Sequence, residues 1–402
     1  MQNGLCTCDV LGGAMNKQQS GMITLFRSGI TGETCVLPAD FDLEQAHTVA
    51  KRHHITNLLY IGACNCGISQ QEPAMQAMFQ EYCASTVKSE MQYRDLKRVI
   101  VAFDENGIAY MPLKGSKLKA LYPAPELRYM GDADILIRME QYEQIIPIME
   151  SLEFTHSKTS DHEIVWRSKS LYLELHKRLI PSYNKDFYAY FGEGWKLAKK
   201  ESATCYTMGA DDEMVYLFTH FAKHYRDGGI GCRYVVDLWV FRNAHPELND
   251  DYIRQELAQI GLSEFYDNIT RLIQVWFDGA PTDDKMDFIT EFIFASGSWG
   301  VETKRLLSTA LKHSQHTVFA DTKVAHAVKK LFPAPVYLYC KYPVLEKKPW
   351  LLPIVWVIRI FRAVVFERES LKLQKEKLKL IKKEDIEDHK QMLNYVGLNY
   401  NF

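Results

Sequence analysis

The sequence has almost no excess of charge of either sign. Its 402 residues carry 48 lysines and arginines against 50 aspartates and glutamates, which gives a formal net charge of -2. A chain this close to neutrality has no overall attraction to nucleic acid or to anionic lipid, so no specific nucleic-acid partner is predicted. The hydrophobic content of 47% and the charged content of 24% are typical of a soluble globular protein with a large core.

Long apolar runs are also missing. The most apolar stretch, residues 350–366, is broken by Pro353, Arg359 and Arg362, whereas a helix that crosses a bilayer needs about 20 consecutive apolar residues. We therefore predict no transmembrane segment and interpret 350–366 as a buried helix, with contact to a membrane surface as the alternative because basic residues lie in and beside it. The chain does not start with a basic segment followed by an apolar one, so no secretory signal is predicted and a cytoplasmic location is expected.

Cysteine shows neither regular spacing nor an even count. The nine cysteines are scattered along the chain, which favours reduced thiols over a disulfide framework. The two C-x-C pairs, Cys6/Cys8 and Cys64/Cys66, lack the spacing of a zinc site. A glycine pair just before Met15 can be encoded by a bacterial ribosome-binding sequence, so the first fourteen residues are interpreted as a misassigned extension of a bacterial protein.

The pattern of apolar residues divides the chain into three parts. Residues 1–107 have helical periodicity, and the adjacent His53 and His54 are expected on the surface. Residues 108–185 alternate short strands with helices, and residues 186–402 are helical again. The predicted fold class is α+β, with a small mixed sheet, built from strands near 110–114, 132–137, 163–167 and 171–176, between two helical regions.

The usual phosphate-binding motifs are absent, because the chain contains neither GxxxxGK[ST] nor GxGxxG. What it does contain is "LKGSK", a glycine-serine turn that follows a strand and opens a helix. Glycine lets a phosphate approach the backbone closely, so Gly115 and Ser116 are candidate phosphate-binding residues.

Acidic residues follow this turn in "RYMGDADILIR". Asp132 and Asp134 project from the same face of a predicted strand, where their charges repel unless a cation lies between them. In the later strand "LYLELHKRL", Glu174 shares the polar face with His176. If the two strands are neighbours, three carboxylates converge and can hold one or two Mg²⁺ ions.

These motifs, in the order "PLKGSKL…LRYMGDADILI…LELHKRL…HFAKH…RYVVDL", resemble the nucleotidyltransferase superfamily of DNA polymerase β. The resemblance is closest to a family of uncharacterised bacterial nucleotidyltransferases related to the antibiotic nucleotidyltransferases. It implies that Asp132 and Asp134 bind two Mg²⁺ ions, that Glu174 binds the catalytic metal, and that Gly115 and Ser116 hold the phosphates of ATP or another nucleoside triphosphate. A nucleoside monophosphate would pass to an unknown small-molecule or protein acceptor, with release of pyrophosphate.

Further candidates come from charge. Lys114 and Arg128 are placed to balance the charge of a triphosphate, with an ordinary surface cation as the alternative for both. His176 is a candidate for contact with the substrate or an acid, and His220 and Lys223 share a helix face that is a possible substrate contact.

Two alternatives stay open. Arg233 and Asp237, four residues apart, are interpreted as an ion pair within one helix. The same fold could also bind a nucleotide without catalysis and regulate a partner, and a missing acid would favour that function. All three acids are present.

Overall fold

We analysed a computed structural model of the chain. It describes residues 15–298, isolated positions between 300 and 342, residues 344–366 and residues 383–399. The first fourteen residues, and with them the expectation about the start of the chain, lie outside the described residues.

The N-terminal part is helical, as predicted. Its helices are α1 (Lys17–Thr31), α2 (Leu43–His53), α3 (Thr56–Asn65) and α4 (Pro73–Glu105). Asp42 caps α2 by accepting a hydrogen bond from the backbone N–H of Gln45 (3.0 Å). After α4 the chain turns at Gly107, whose φ of 66° suits glycine, and enters the sheet.

A mixed sheet of five strands follows, in the order β1-β2-β5-β4-β3. The strands are β1 (Tyr110–Leu113), β2 (Ala133–Ile137), β3 (Thr155–Thr159), β4 (Glu163–Arg167) and β5 (Tyr172–His176). Only β2 and β5 run parallel to each other, and the other neighbours are antiparallel. Two short helices, α5 (Gly115–Leu118) and α6 (Tyr142–Ser151), lie in the connections.

The sequence did not predict the edge strand β3. Four of its five side chains are exposed, so it has no alternation of apolar and polar residues from which a strand could be recognised. Its backbone pairs with β4 and so completes the sheet.

Both faces of the sheet are covered. On one face, Ile135 packs with Val99 and Phe103 of α4 and with Ile145 of α6. On the other, Leu136 belongs to the larger core, which includes residues from the C-terminal helices. Because side chains alternate along a strand, the acidic side chain at 134 projects towards the second face.

The C-terminal part is mainly helical. It contains α7 (Lys185–Phe191), the short strands β6 (Lys199–Lys200) and β7 (Tyr206–Thr207), α8 (Ala210–Gly228), α9 (Cys232–Ala244), α10 (Asp250–Gln259), α11 (Ser263–Phe277), α12 (Asp284–Ser296), α13 (Val344–Lys347), α14 (Leu352–Phe366) and α15 (Lys383–Tyr395). Among the helices in the described ranges, none is both long and apolar enough to cross a membrane.

Helix α14 corrects one prediction. The stretch 350–366 was expected to be buried, but Trp350, Val357 and Phe361 are 70%, 67% and 65% exposed. Val355 is buried and packs with Leu345. The composition of an apolar stretch does not reveal whether the rest of the chain provides a surface to cover it.

Two predictions about the N-terminal part were also wrong. Cys35 and Cys66, 31 residues apart, form a disulfide, so the thiols are not all reduced. His53 is fully buried and does not lie on the surface. In the interior its Nδ1 accepts a hydrogen bond from the backbone N–H of Cys232 (3.1 Å), and its Nε2 donates to the carbonyl of Phe294 (3.0 Å). Burial lowers the pKa of His53 to about 4, which keeps the ring neutral.

Candidate active site

The site begins at the end of β1. Lys114 has a positive φ of 40°, which is uncommon for a residue other than glycine, and the chain turns there into α5. A side chain could not fit freely at the next residue, since a Cβ on Gly115 would lie 3.1 Å from Nη1 of Arg128. The hydroxyl of Ser116 donates to the carbonyl of Leu113 (3.2 Å) and closes the turn. The backbone of the glycine-serine turn is therefore held in one conformation.

The register of the two parallel strands brings the acids together. Asp134 of β2 is paired directly with Glu174 of β5. One ligand atom from each of Asp134, Glu174 and His176 lies within 4.8 Å of the others. Asp132 immediately precedes β2 and is close enough for its charge to interact with Asp134 and Glu174. Asp134, Glu174 and His176 are thus close enough to share one metal ion, and Asp132 lies next to them at the start of β2.

Lys114 is the cation at the centre of this group. Its Nζ donates to Oδ1 of Asp134 at 3.2 Å, and its side chain is only 14% exposed, so it is not an ordinary surface lysine. Burial lowers the pKa of Lys114, but Asp134, Tyr216, Glu174 and Asp132 together outweigh it, and the pKa lies well above the usual range. The ammonium group therefore stays charged beside the acids.

His176 contacts two of the acids. Its Nε2 lies 2.7 Å from Oδ1 of Asp134 and 3.7 Å from Oε2 of Glu174. Burial and the charge of Lys114 lower the pKa of His176, yet the hydrogen bonds to the two carboxylates leave it raised. Contact with an acid, one of the two roles expected for His176, is present.

The acids differ in their electrostatic surroundings. Burial and the charges of Asp134 and Glu174 raise the pKa of Asp132 to about 7. Burial would raise the pKa of Asp134 as well, but Lys114 and His176 hold it well below its usual range. The negative charge of Asp132 is thus less well compensated by neighbouring protein groups than the charge of Asp134.

Arg128 is buried and bound on three sides. Its Nε and Nη2 donate to the two carboxylate oxygens of Asp237 at 2.7 and 2.9 Å, and its Nη1 donates to the carbonyl of Gly115 at 3.2 Å. Tyr122 donates its hydroxyl to the same carboxylate at 2.7 Å. The expected ion pair of Asp237 with Arg233 is therefore wrong, and the surface alternative for Arg128 is wrong as well. Arg128 joins the glycine-serine turn to α9.

Arg233 makes a different contact. Its Nη1 donates to the carbonyl of Tyr129 at 3.0 Å, and its charge is felt by Asp132. Its Nε is buried without a hydrogen-bond partner in the part of the chain that the structure describes. We had not predicted a role for this arginine at the site, because the i, i+4 spacing to an aspartate suggested a local pair.

Helix α8 carries the candidates His220 and Lys223 and, beside them, His224. His220 and His224 lie with their Nε2 atoms 3.1 Å apart, and burial lowers the pKa of both rings well below the usual range. Burial, together with the charge of Lys114, lowers the pKa of Lys223 to about 8. Contact of His220 and Lys223 with a substrate stays a prediction.

The donor atoms suit a hard divalent cation. Mg²⁺ prefers carboxylate oxygens and phosphate oxygens, and Asp132, Asp134 and Glu174 offer the former beside a turn that can accept the latter. The raised pKa of Asp132 fits such an ion, because a cation would stabilise the ionised carboxylate. These residues fit the metal that the resemblance implies.

A mixed sheet flanked by helices carries acids on adjacent strands after a glycine-serine turn, which is the arrangement that the resemblance to nucleotidyltransferases implies. The sequence profile of the uncharacterised nucleotidyltransferase family matches residues 39–278, more than half of the chain. The chain therefore belongs to the uncharacterised nucleotidyltransferase family, and the expectation of a transferase enzyme is confirmed. No curated protein and no solved structure gives a match.

Proposed function

We propose that the protein is a metal-dependent enzyme that transfers a nucleoside monophosphate from ATP, or from another nucleoside triphosphate, to a hydroxyl or similar nucleophile. The observation that carries the proposal is the in-register pairing of Asp134 with Glu174, whose carboxylates lie with His176 close enough to share a metal ion. Asp132 precedes the same strand, and its charge interacts with both acids.

The proposed reaction is a substitution at the α-phosphorus. The acceptor oxygen forms a bond to this phosphorus, the bond to the oxygen that bridges to the β-phosphorus breaks, and pyrophosphate leaves. The acceptor loses one proton to the solvent. Asp132, Asp134 and Glu174 would hold Mg²⁺, two ions by resemblance, which when bound would neutralise the phosphate charge and acidify the acceptor hydroxyl.

The other site residues act on charge and position. Lys114 places a permanent positive charge next to Asp134, where it can offset the charge that develops on the phosphates. His176 holds the Asp134 carboxylate in one orientation through its hydrogen bond. Arg128 keeps the glycine-serine turn in place and is a positioning residue, because three of its five N–H donors are bound to Asp237 and the carbonyl of Gly115.

The proposed partners are a nucleoside triphosphate and an acceptor that is a small molecule or a protein. We place the reaction in the cytoplasm of a bacterium, where nucleoside triphosphates are available. The Cys35–Cys66 disulfide is unusual for the cytoplasm, so the redox state of this pair in intact cells is a direct test of the location.

The test is to incubate the full chain with Mg²⁺, each of ATP, GTP, CTP and UTP labelled at the α-phosphate, and a bacterial metabolite or protein extract. We expect pyrophosphate release and a labelled acceptor with at least one nucleotide, and neither product in EDTA. The Asp132→Asn and Asp134→Asn variants should be inactive, whereas Glu150→Gln, an exposed position on α6, should be fully active. Binding of nucleotide with no transfer to any fraction would contradict the proposal.

A further inference from the structure

A cavity next to the site contains none of its acids. Its volume is about 290 Å³, and it is lined by residues of α2, α3 and α4, by Lys119 and by the segment 126–130. Asp132, Asp134 and Glu174 are not among its lining residues. Whatever this cavity binds is therefore held by other groups than those proposed to hold the metal.

A buried lysine lines the cavity. Lys119 is only 8% exposed, and its Nζ donates to the hydroxyl of Ser89 at 2.5 Å. Within the described ranges no carboxylate lies within ion-pair distance of this ammonium group. An ammonium has three hydrogen-bond donors, and burying its charge without an anion is costly. Burial accordingly lowers the pKa of Lys119 to about 8.

The two acids in the cavity wall do not pair with Lys119. Glu81 forms an ion pair with Lys51 of the same wall at 2.7 Å, and the carboxylate of Glu126 accepts a hydrogen bond from Tyr82 at 2.9 Å. Lys88 is exposed, 5.1 Å from the centre of the Tyr129 ring. Three lysines thus face two acids in the wall, an excess of positive charge, while the lining Arg128 is already compensated by Asp237.

One wall is aromatic. The rings of His54 and Tyr129 stack with their centroids 4.5 Å apart and their planes 13° apart. This flat pair lines the same cavity as the two lysines. A ligand would therefore meet cations and a rigid ring surface together.

We infer that this cavity binds a small soluble ligand through a phosphate or carboxylate group, with Lys119 as the buried contact and Lys88 as the contact at the mouth. An anion placed there compensates the buried ammonium group, which Ser89 satisfies with a single acceptor. A phosphate and a carboxylate would both compensate this charge, and titration with one probe of each kind distinguishes them.

The cavity is also connected to the acid site through the backbone. Tyr129 and Met130 line it, and Asp132 follows two residues after Met130. Two residues span at most about 7 Å, so a ligand in the cavity contacts the segment that positions Asp132. Occupancy of the cavity can therefore influence the acids without contacting them.

The experiment is isothermal titration calorimetry of the full chain in EDTA, with inorganic phosphate and acetate as separate probes at matched ionic strength. We expect one of the two to bind, and the one that binds identifies the anionic group. Lys119→Met should weaken that binding at least about tenfold, since a charge-assisted contact is lost. Lys97→Met, an exposed lysine on the same helix as Ser89 and outside the cavity, should leave it unchanged.

The absence of binding of both probes to the parent chain would overturn the inference, and so would equal affinity in the parent and Lys119→Met. If circular dichroism shows that Lys119→Met does not fold, Lys88→Met replaces it, because that side chain is exposed and its loss cannot disturb the core. Unchanged affinity in a folded Lys88→Met would then overturn the inference. Because the titrations contain no divalent metal and no nucleotide, they can fail while the proposed transfer reaction stands.

Discussion

Replacing Arg128 by methionine should destabilise the fold more than the loss of an exposed ion pair would. The substitution keeps the apolar stem but removes two hydrogen bonds to Asp237 and one to the carbonyl of Gly115. Asp237 is 3% exposed and, among the residues that the structure describes, would keep the hydroxyl of Tyr122 as its side-chain partner. Breaking one side of a buried pair costs about 3–5 kcal/mol, because the other charge is left uncompensated.

Urea unfolding followed by circular dichroism measures this loss, and Arg98→Met is the matched control. Arg98 lies 3.5 Å from Asp95, but its side chain is 45% exposed, so its loss should cost about 1 kcal/mol or less. Asp237→Asn, alone and with Arg128→Met, completes a double-mutant cycle, in which we expect a coupling of about 1–3 kcal/mol. If Arg128→Met were no more destabilising than Arg98→Met, the buried pair would not be what holds the turn.

The other predictions concern the acids, the turn and the buried histidine. Asp134→Asn should abolish Mg²⁺-dependent nucleotide binding, and it should lower stability because Lys114 loses its buried partner. Asp132→Asn should abolish the same binding, but the stability of the metal-free protein should be kept or raised because like-charge repulsion is relieved. Equilibrium dialysis with labelled ATP and urea unfolding separate the two effects. Gly115→Ala should weaken nucleotide binding with a smaller loss of stability, because its Cβ would lie 3.1 Å from a guanidinium nitrogen; an unchanged dissociation constant would contradict a close approach of phosphate there. The pKa of His53 falls from 6.5 to about 4 on folding. The neutral ring therefore contributes fully to stability above pH 6.5, and about 3 kcal/mol of stability is lost as the pH falls towards 4. His53→Gln should lower the stability at pH 7 and flatten the pH dependence of stability between pH 6.5 and 4.

The sheet could be predicted where burial shapes the sequence. The strands β1, β2, β4 and β5 carry runs of apolar residues, and all were expected within two residues of their observed bounds. The strand β3 could not be, because most of its side chains face solvent and its position is set by backbone pairing with β4. The expected division into residues 1–107, 108–185 and 186–402 stays a prediction.

The acids of the site could be found from the sequence because alternation along a strand fixes which residues share a face. Their closeness could not, since it depends on β2 and β5 being neighbours in parallel register, 40 residues apart in the chain. The partners of the acids were partly missed for the same reason. Lys114 was assigned to the phosphates, and its contact with Asp134 follows only from the antiparallel pairing of β1 with β2.

Long-range polar pairs leave no local signal. Arg128 and Asp237 are 109 residues apart, and the nearby Arg233 offered a simpler local partner. His53 was expected on the surface, but it is buried with partners far along the chain, an amide group about 180 residues away and a carbonyl group about 240 residues away. Spacing within one helix is therefore a poor guide wherever several helices meet.

The most direct test of the proposed transfer is the activity of Glu174→Gln with the acceptor that the nucleotide screen identifies. Glu174 is the acid paired with Asp134 across β2 and β5, and the substitution removes its charge while keeping its size. We expect pyrophosphate release to fall at least about a hundredfold, with much of the nucleotide affinity kept by the other two acids. Glu150→Gln should match the parent. Full transfer activity in Glu174→Gln would show that the third acid, or the reaction, has been assigned wrongly.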